Sequence, residues 1–540
     1  MAQANTGDIV EAQHTPPTTG DGWQAGTCTN EPPKAGGTAS DFCSIDTHTQ
    51  YFEQAAGHPQ FGFTQIIVKH GSSGEPVGEL KTVRVDLPVG LSVNPQATPQ
   101  CSQAEFESSN PLKCPGSVVG KSLVWVWLPV VGEQEAPPAT VYNIEPADGE
   151  AARFGFELAG KFIYLQADVA WDSDYHEGFT IHVPTSEELS SLFGSKGLVT
   201  KNRLIFNGRA GNGTFVTTPT TCLGESLPEY PFAHAYSTWL RAEGYGAGKE
   251  DPNFPSGSSY FESRIPNKLD FEAAEGTFPK HCDTIPFEPS LEVEPGTTET
   301  DSPSGAAVTV KLPFEEPDFT KPAGSKEARE QASSQLKTAK VTMPAGMGLN
   351  PSAAAGLAAC TDEEFGKGTR NPVECPAASK IGTVSIQTPP LPPDSLAGNV
   401  YLGQQLSRDP TSGEEFRIFV DAELTRYGIS ARLVGHVAAD PQTGRLTATF
   451  ADNPQVPFSS FTLHFDGGAR ATLTGPPICG PHETTSEMIP WSSTPGTIPA
   501  GQAGGPSSAP PATPTGEFTL SEAPAGGACP ETLAARPFAP

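Results

Sequence analysis

Hydrophobic and polar residues alternate along many short segments of this chain. Period-two alternation buries one face of a strand and leaves the other face polar, as in antiparallel sheets. The segments are TQIIVKH (64–70), KTVRVDL (81–87), ARFGFEL (152–158), GFTIHV (178–183), SLEVEP (290–295), AVTVKLP (307–313), FRIFVDAEL (416–424), SARLVGHVA (430–438), RLTATFA (445–451) and FTLHF (461–465). The turn sequence ADPQTG joins two of them into an expected hairpin. The pattern predicts an all-β fold.

The strand pattern occurs twice. LKTVRVDLPVGLSVNP (80–95) aligns without gaps with LKTAKVTMPAGMGLNP (336–351), an offset of 336 − 80 = 256. The match extends through the cysteines, because CSQAEF (101–106) corresponds to CTDEEF (360–365). Self-similarity at a fixed offset indicates stacked modules, and short strands with Pro and Gly punctuation favour Ig-like β-sandwiches. We predict an N-terminal segment (1–55) and two tandem β-sandwich modules (56–284 and 285–540).

Few helices are expected, and all are short. Ser102-x-x-Glu105 and Thr361-x-x-Glu364 are capping boxes, each followed by a phenylalanine that we expect to close one end of its sandwich. TSEELSSLFG (185–194) predicts a two-turn helix, and SKEAREQASSQ (325–335) predicts another that is present only in the second copy.

The acidic composition argues against some classes of binding partner. With 62 acidic and 33 basic residues, the net charge of −29 repels nucleic acids and anionic lipid surfaces. No window approaches the roughly 20 apolar residues of a membrane span, and the N-terminus lacks the basic and apolar regions of a secretory signal. The 56 Gly and 56 Pro favour turns, and the Pro/Gly/Ser-rich segment 492–515 reads as a linker or a long loop.

The ten cysteines sort into pairs that follow the repeat. We predict matched short loops, matched long loops and one pair in the N-terminal segment: Cys101–Cys114 and Cys360–Cys375, Cys222–Cys282 and Cys479–Cys529, and Cys28–Cys43. Disulfides persist in oxidising compartments, so the pairing predicts a secreted or cell-surface protein. No CxxC or Cys–His spacing typical of zinc occurs.

Candidate chemistry is sparse. Asp172, Asp174, His176 and Glu177 lie together between two strands and could hold a divalent cation. The simpler interpretation is a polar hairpin tip, because the second copy has only ADPQTG there. We therefore assign no metal, no cofactor and no catalytic residue. Trp125 and Trp127 on one strand face, with Trp171 and Tyr175 beside the acidic turn, are candidate glycan-binding aromatics, although paired tryptophans also occur in sandwich cores.

The chain resembles a group of large secreted tandem-repeat proteins of high-GC Gram-positive bacteria. The resemblance rests on the repeated motif at 80–95 with its cysteine loop, on ATVYNIEPADGEAARFGFEL (139–158), CPAASKIGTVSI (375–386) and FADNPQVPFSSFTLHFDGG (450–468), and on the ending from Cys529 to PFAP. It implies export and a chain of further modules, and it supplies no catalytic residues. PFEP (286–289) precedes a strand, so a further module is expected after PFAP (537–540).

These observations predict a non-enzymatic exported repeat protein that is structural or adhesive. The alternative is a set of carbohydrate- or cell-wall-binding modules that uses exposed aromatics. Its partners would then be extracellular glycans or other modules of the same chain. A hydrolase with a dispersed site is a third hypothesis, and the long loop from Pro228 to Lys280, which has little visible counterpart in the second copy, would be the place for it.

Overall fold

Strands dominate the regular structure of the chain. The computed structural model describes residues 10, 24–28, 52, 54–72, 74–110, 113–193, 196–211, 213–222, 237–245, 260–266, 281–318, 321, 330–493 and 507–536. Within them, the α-helices are Gln103–Phe106 (α1), Ser186–Phe193 (α2) and Asp362–Phe365 (α3). The predicted all-β class with very few short helices is confirmed. None of these helices is long and apolar enough to cross a bilayer.

The first half of the chain forms a large antiparallel sheet. The strands of this half of the chain are β1 (Gln24–Cys28), β2 (Phe61–Ile67), β3 (Leu80–Asp86), β4 (Ser92–Val93), β5 (Val118–Leu128), β6 (Gly132–Glu135), β7 (Ala139–Ile144), β8 (Ala152–Leu158), β9 (Lys161–Val169), β10 (Glu177–His182), β11 (Leu198–Asn207), β12 (Arg209–Ala210), β13 (Gly213–Thr214), β14 (Val216–Thr217), β15 (Ser237–Gly244) and β16 (Tyr260–Pro266). Outside the large sheet, β4 pairs with β14 and β12 pairs with β13. The sheet order is β1-β2-β11-β5-β7-β8-β9-β10-β3-β15-β16, and β6 pairs with β5.

The second half repeats this arrangement. Its strands are β17 (Ser290–Pro295), β18 (Pro303–Ser304), β19 (Ala306–Lys311), β20 (Leu336–Thr342), β21 (Gly348–Leu349), β22 (Lys380–Gln387), β23 (Leu396–Gly403), β24 (Phe416–Leu424), β25 (Ile429–Ala439), β26 (Leu446–Phe450), β27 (Ser460–Phe465), β28 (Leu473–Thr474), β29 (Gly480–Pro490) and β30 (Thr515–Leu520). The order β17-β19-β27-β22-β23-β24-β25-β26-β20-β29-β30 matches the first sheet strand for strand.

The register repeats as well as the order. Val83 of β3 pairs with Ile181 of β10, and Ala339 of β20, which is 256 residues later, pairs with Phe450 of β26. The predicted pair of disulfide-stapled β-sandwich modules is therefore confirmed as the fold class. β1 pairs with β2 along its whole length, so the N-terminal segment contributes an edge strand to the first sheet.

Each sheet folds around its own apolar core. Phe154 lies at the centre of the first core, with ring centroids 5.3 Å from Phe206 and 5.6 Å from Phe215. The second core is mainly aliphatic and includes the fully buried Val400, Val420 and Met488. The inward residues of period-two strands fill both cores, as the sequence pattern predicts.

The cysteine loops close one end of each module. The disulfides Cys101–Cys114 and Cys360–Cys375 are confirmed, with Cα–Cα distances of 5.2 and 5.0 Å. The long-loop disulfides Cys222–Cys282 and Cys479–Cys529 are also confirmed. The aromatic of each helical turn, Phe106 in α1 and Phe365 in α3, is completely buried. The predicted Cys28–Cys43 pair includes Cys43, which lies outside the described residues.

The structure changes three of the predictions about connecting segments. The helix predicted at 325–335 is wrong over 330–335, where the backbone is extended and Ala332 donates its N–H to the Ala56 carbonyl at 2.7 Å. The loop 228–280 does have a counterpart in the second copy, because β15 and β16 within it occupy the sheet positions of β29 and β30. Segment 492–515 lies between the paired strands β29 and β30, so it connects two strands of one sheet.

Candidate functional site

The two modules meet at the turn between β9 and β10, residues 170–176, which we call the docking hairpin. The N–H groups of Ser173 and Tyr175 donate to the carbonyl oxygen of Ala170, at 3.0 and 3.1 Å. Tyr175 has a left-handed backbone with φ of 62°. This tight turn presents Trp171, Asp172 and Tyr175 to the second module.

Each of these three side chains makes a polar contact across the junction. The Trp171 indole N–H donates to the Gly428 carbonyl oxygen at 3.0 Å, and the Tyr175 hydroxyl accepts the Arg432 backbone N–H at 3.0 Å. The Asp172 carboxylate lies 3.0 Å from the Arg370 guanidinium. Burial raises the pKa of Tyr175 to about 12, so its hydroxyl stays neutral. Two of the four aromatics proposed for glycans, Trp171 and Tyr175, and one proposed metal ligand, Asp172, thus contact the second module.

Cations from the second module also cover Trp171. The guanidinium groups of Arg370 and Arg432 lie 5.4 and 5.0 Å from its ring centroid. Such cation–π contacts contribute about 0.5–2 kcal/mol each, more where they are shielded from water. The indole is therefore held by its ring as well as by its N–H.

A backbone contact beside the hairpin strengthens the junction. Gly149 donates its N–H to the Arg426 carbonyl at 2.8 Å, and the Arg426 guanidinium pairs with Asp148. Gly428 has φ of 64°, and a Cβ there would overlap the carbonyl oxygen of Gly149. Only glycine allows this close approach.

The remaining acidic residue of the turn, Asp174, and His176 belong to a buried ionic chain. The His176 ring pairs with Asp174 through Nδ1, and its Nε2 lies 3.3 Å from Asp86. Asp86 pairs with Arg84 at 2.7 Å, and Arg84 pairs with Asp168 at 2.8 Å. Burial alone would lower the pKa of His176, but hydrogen bonds to the two carboxylates raise it to about 9. Burial opposes ionisation of Asp86, yet His176 and Arg84 hold its pKa well below its usual range.

This arrangement separates the proposed metal ligands. Asp174 and His176 pair with each other, whereas Asp172 pairs with Arg370 and Glu177 accepts from Val93, so the four residues do not converge on one point. In the described part of the chain, one set of three His, Cys, Asp or Glu ligand atoms lies within 4.8 Å, and it comprises Cys101, Glu105 and Cys114. The two sulfurs there form a disulfide and are not thiolates.

Glu177 occupies a different environment from the rest of the hairpin. Both of its carboxylate oxygens accept the Val93 backbone N–H, at 3.1 and 3.2 Å. Burial raises the pKa of Glu177 to about 8. Its counterpart in the second module is Leu446, because Leu87 N–H donates to the Glu177 carbonyl and Met343 N–H, 256 residues later, donates to the Leu446 carbonyl. An acid thus stands where the other copy has a core leucine.

Glu177 lines a cavity between the facing ends of the two cores. This junction cavity has a volume of about 200 Å³ and is partly open to solvent. The first module contributes side chains of β8, β9 and β10, and the second contributes side chains of β19, β20, β25 and β27. Representative lining residues are Phe154, Ala167, Phe179, Val310, Ala339, Ala431, Leu433 and Leu463. The lining is almost entirely apolar.

Trp125 and Trp127 lie on the outer face of β5, since Val124 and Val126, which alternate with them, point into the core. Both tryptophans are half-buried. The Lys201 ammonium lies 4.6 Å from the Trp125 ring centroid. Both tryptophans therefore lie away from the junction. Trp127 is partly accessible to solvent there.

Comparisons with known proteins add little. No family model and no curated protein matches the chain. Among solved structures, the chain is similar to the MSCRAMM ACE of Enterococcus faecalis (7% identity, covering 87% of this chain and 92% of that one, TM-score 0.18). It is also similar to the C-terminal domains of the Streptococcus agalactiae antigen I/II polypeptide BspA (9%, 78% and 93%, 0.16) and of Streptococcus pyogenes AspA (7%, 92% and 99%, 0.16). Scores this low carry no argument about function.

Sequence reasoning missed the partners of the docking hairpin. Arg370, Gly428 and Arg432 lie about 200 or more residues from it along the chain, and no spacing marks them. A usable signal was the exchange of Glu177 for Leu446, which becomes visible once the two copies are aligned in register. Without that comparison, the sequence predicts the acidic turn as a hairpin tip and not as a contact between modules.

Proposed function

We propose that the chain is an exported, non-enzymatic repeat protein of the cell surface or extracellular space, with a structural or adhesive role. It would belong with the secreted tandem-repeat proteins of high-GC Gram-positive bacteria that its sequence resembles. The observation that carries the proposal is the fixed docking of two disulfide-stapled modules through the docking hairpin. Modules locked at a set angle suit an element that must hold a shape outside the cell, where disulfides persist.

The chemistry of the hairpin supports a structural role. Its carboxylates and imidazole, which could act as acid and base, are engaged with one another and with arginines of both modules. The partner of this surface is another module of the same chain. The acidic surface keeps such a protein soluble.

Cell fractionation of the native host, with non-reducing peptide mapping of the recovered protein, tests this proposal. We expect the protein in the culture medium or on the cell surface, with the four described disulfides oxidised. Recovery from the cytosol with free thiols would contradict the proposal. Small-angle scattering on the same material should fit a single rigid arrangement of the two modules, and a broad ensemble would contradict the structural role.

A second candidate is glycan binding by Trp127, favoured by its place on an outer strand face. Stacking of an aromatic ring on a sugar would need that face to be accessible. Pulldown on peptidoglycan, together with a glycan array, compares the native chain with Trp127→Ala. Binding that is lost in the variant favours this function, and equal binding of both proteins excludes Trp127 as the contact.

A further inference from the structure

The second module forms the same sheet without an acid at the position of Glu177. At the same sheet position the second module places Leu446, which is buried and makes the equivalent backbone hydrogen bond. Burying a carboxyl group costs free energy, and a leucine at that position would be more stabilising. A costly residue found in only one of two matched copies points to a role other than folding.

The charged side chains that line the junction cavity are both acidic. Its described lining contains two carboxyl groups, Asp168 and Glu177, and no lysine, arginine or histidine. Asp168 is already bound by the Arg84 guanidinium, with both oxygens accepting at 2.8 and 2.9 Å. Glu177 accepts from the Val93 backbone N–H and pairs with no cation in the lining, and the neighbouring His176 outside the lining favours its ionised form only through its charge. The cavity therefore offers one carboxyl group to a cationic partner.

The size of the cavity limits that partner. An apolar cavity of about 150 Å³ holds benzene in a well-studied case. The junction cavity, at about 200 Å³, is somewhat larger. Its apolar walls suit a hydrocarbon body of roughly six to eight carbons, with few polar groups.

We propose that the junction cavity binds a small organic amine, whose hydrocarbon body contacts the apolar walls and whose ammonium group pairs with the Glu177 carboxylate. The proposal concerns a ligand and stands independently of where the protein is located. Because the ligand would contact both modules, its binding should also strengthen their docking.

Binding of an amine should change the protonation state of Glu177, and this change can be measured. Burial raises the pKa of Glu177 to about 8, so the free carboxyl group is mostly protonated at pH 7. An alkylammonium ion keeps its own proton at that pH, and pairing favours the ionised carboxylate. Binding should therefore release close to one proton from Glu177 to the buffer.

Isothermal titration calorimetry of the full chain with n-hexylamine, n-hexanol and hexanoate tests this at pH 7. We expect hexylamine to bind with one-to-one stoichiometry, hexanol to bind more weakly by roughly tenfold, and hexanoate not to bind. Repeating the hexylamine titration in buffers of different ionisation enthalpy measures the released proton. Absence of hexylamine binding up to its solubility limit, or binding without proton release, would overturn the proposal.

Variants distinguish binding of hexylamine in the cavity from its attraction to the acidic surface of the chain. Glu177→Gln, which keeps the side-chain shape, should weaken hexylamine by roughly tenfold or more and leave hexanol unchanged. Ala431→Phe should fill the cavity and abolish both. Glu483→Gln removes an exposed carboxylate of β29 and should change nothing. Equal hexylamine affinity in the native chain and Glu177→Gln would show surface attraction only and would refute the site.

Discussion

The indole N–H of Trp171 in the first module donates to the carbonyl oxygen of Gly428 in the second module, 3.0 Å away. The same ring lies against Arg370 and Arg432 of the second module. A residue that sequence analysis offered as a glycan contact is thus a contact between modules. Its loss should uncouple the two modules rather than abolish binding to a sugar.

Trp171→Ala should lower the free energy of unfolding by about 2–4 kcal/mol, because it removes aromatic packing, a hydrogen bond and the cation–π contacts together. We expect urea unfolding, followed by tryptophan fluorescence and circular dichroism, to separate into two transitions where the native chain shows coupled ones. Trp127→Ala, on the outer face of β5, is the matched control and should leave the coupling intact. Coincident transitions in Trp171→Ala would contradict the assigned role of the hairpin.

Glu177→Leu should stabilise the protein near neutral pH. The folded state holds the Glu177 proton up to a pKa of about 8, whereas an unfolded glutamate titrates near 4.5. Between these values the unfolded state binds fewer protons, so the free energy of unfolding falls as pH rises. Glu177→Leu has no carboxyl group at this position, so its free energy of unfolding does not fall in this way. At about 1.4 kcal/mol per pKa unit, the variant should be more stable than the native chain by a few kcal/mol at pH 7.

Urea unfolding of both proteins at a series of pH values measures the effect. His176, with its pKa raised to about 9, also loses stabilisation as pH rises, but only above its unfolded value of 6.5. The difference between native chain and variant below pH 6.5 therefore reports Glu177. If that difference is independent of pH, the pKa of Glu177 is not raised in the folded state.

The sequence predicted the fold well, because its main determinant is local. Alternation in β8 and β24 assigns each residue to the core or the outer face, and the repeat transfers the assignment from one copy to the other. The junction depends on contacts such as Asp172 with Arg370, which join residues far apart in sequence. No periodicity encodes such a contact. Over 330–335 the expected helix is absent because pairing of Ala332 with Ala56 outweighs local helix propensity.

The two capping boxes should differ in strength. In α3 the Thr361 hydroxyl accepts the Glu364 N–H at 3.2 Å, and the Glu364 carboxylate accepts the Thr361 N–H at 2.8 Å. In α1 the Ser102 hydroxyl accepts the Glu105 N–H at 3.3 Å, but the Glu105 carboxylate accepts the Cys114 N–H instead. α1 therefore has only one of the two hydrogen bonds of a capping box, and the Glu105 carboxylate binds a backbone N–H of the disulfide loop instead.

Thr361→Ala should cost about 1–2 kcal/mol of unfolding free energy and Ser102→Ala about 0.5–1 kcal/mol. Conversely, Glu105→Gln should alter the disulfide loop, and hydrogen exchange at Cys114 N–H reports it. Urea titrations of the two cap variants provide the comparison, with each serving as the control for the other. Equal losses at both caps would mean that the hydrogen bond from the Thr361 hydroxyl to the Glu364 carboxylate, 3.0 Å long, adds no stability.

The disulfides should contribute according to the length of chain that each closes. Cys222–Cys282 spans 60 residues, whereas Cys101–Cys114 spans 13. Loop-closure entropy gives about 4 kcal/mol for the first and about 3 kcal/mol for the second. The double alanine variants, compared by urea unfolding, should follow this order, and the variant lacking Cys360–Cys375, which spans 15 residues, should match the variant lacking Cys101–Cys114.

Cys222 and Cys282 also pack with Ala55, Ala56 and Ile285, and Ala332 packs against this cluster. Removing that disulfide should therefore disturb the segment between the modules as well as the unfolded chain. We expect its double alanine variant to lose more than the entropic value and to weaken the coupled unfolding of the modules. A loss no greater than that of the short-loop variants would show that neither loop length nor this cluster determines the stability at the junction.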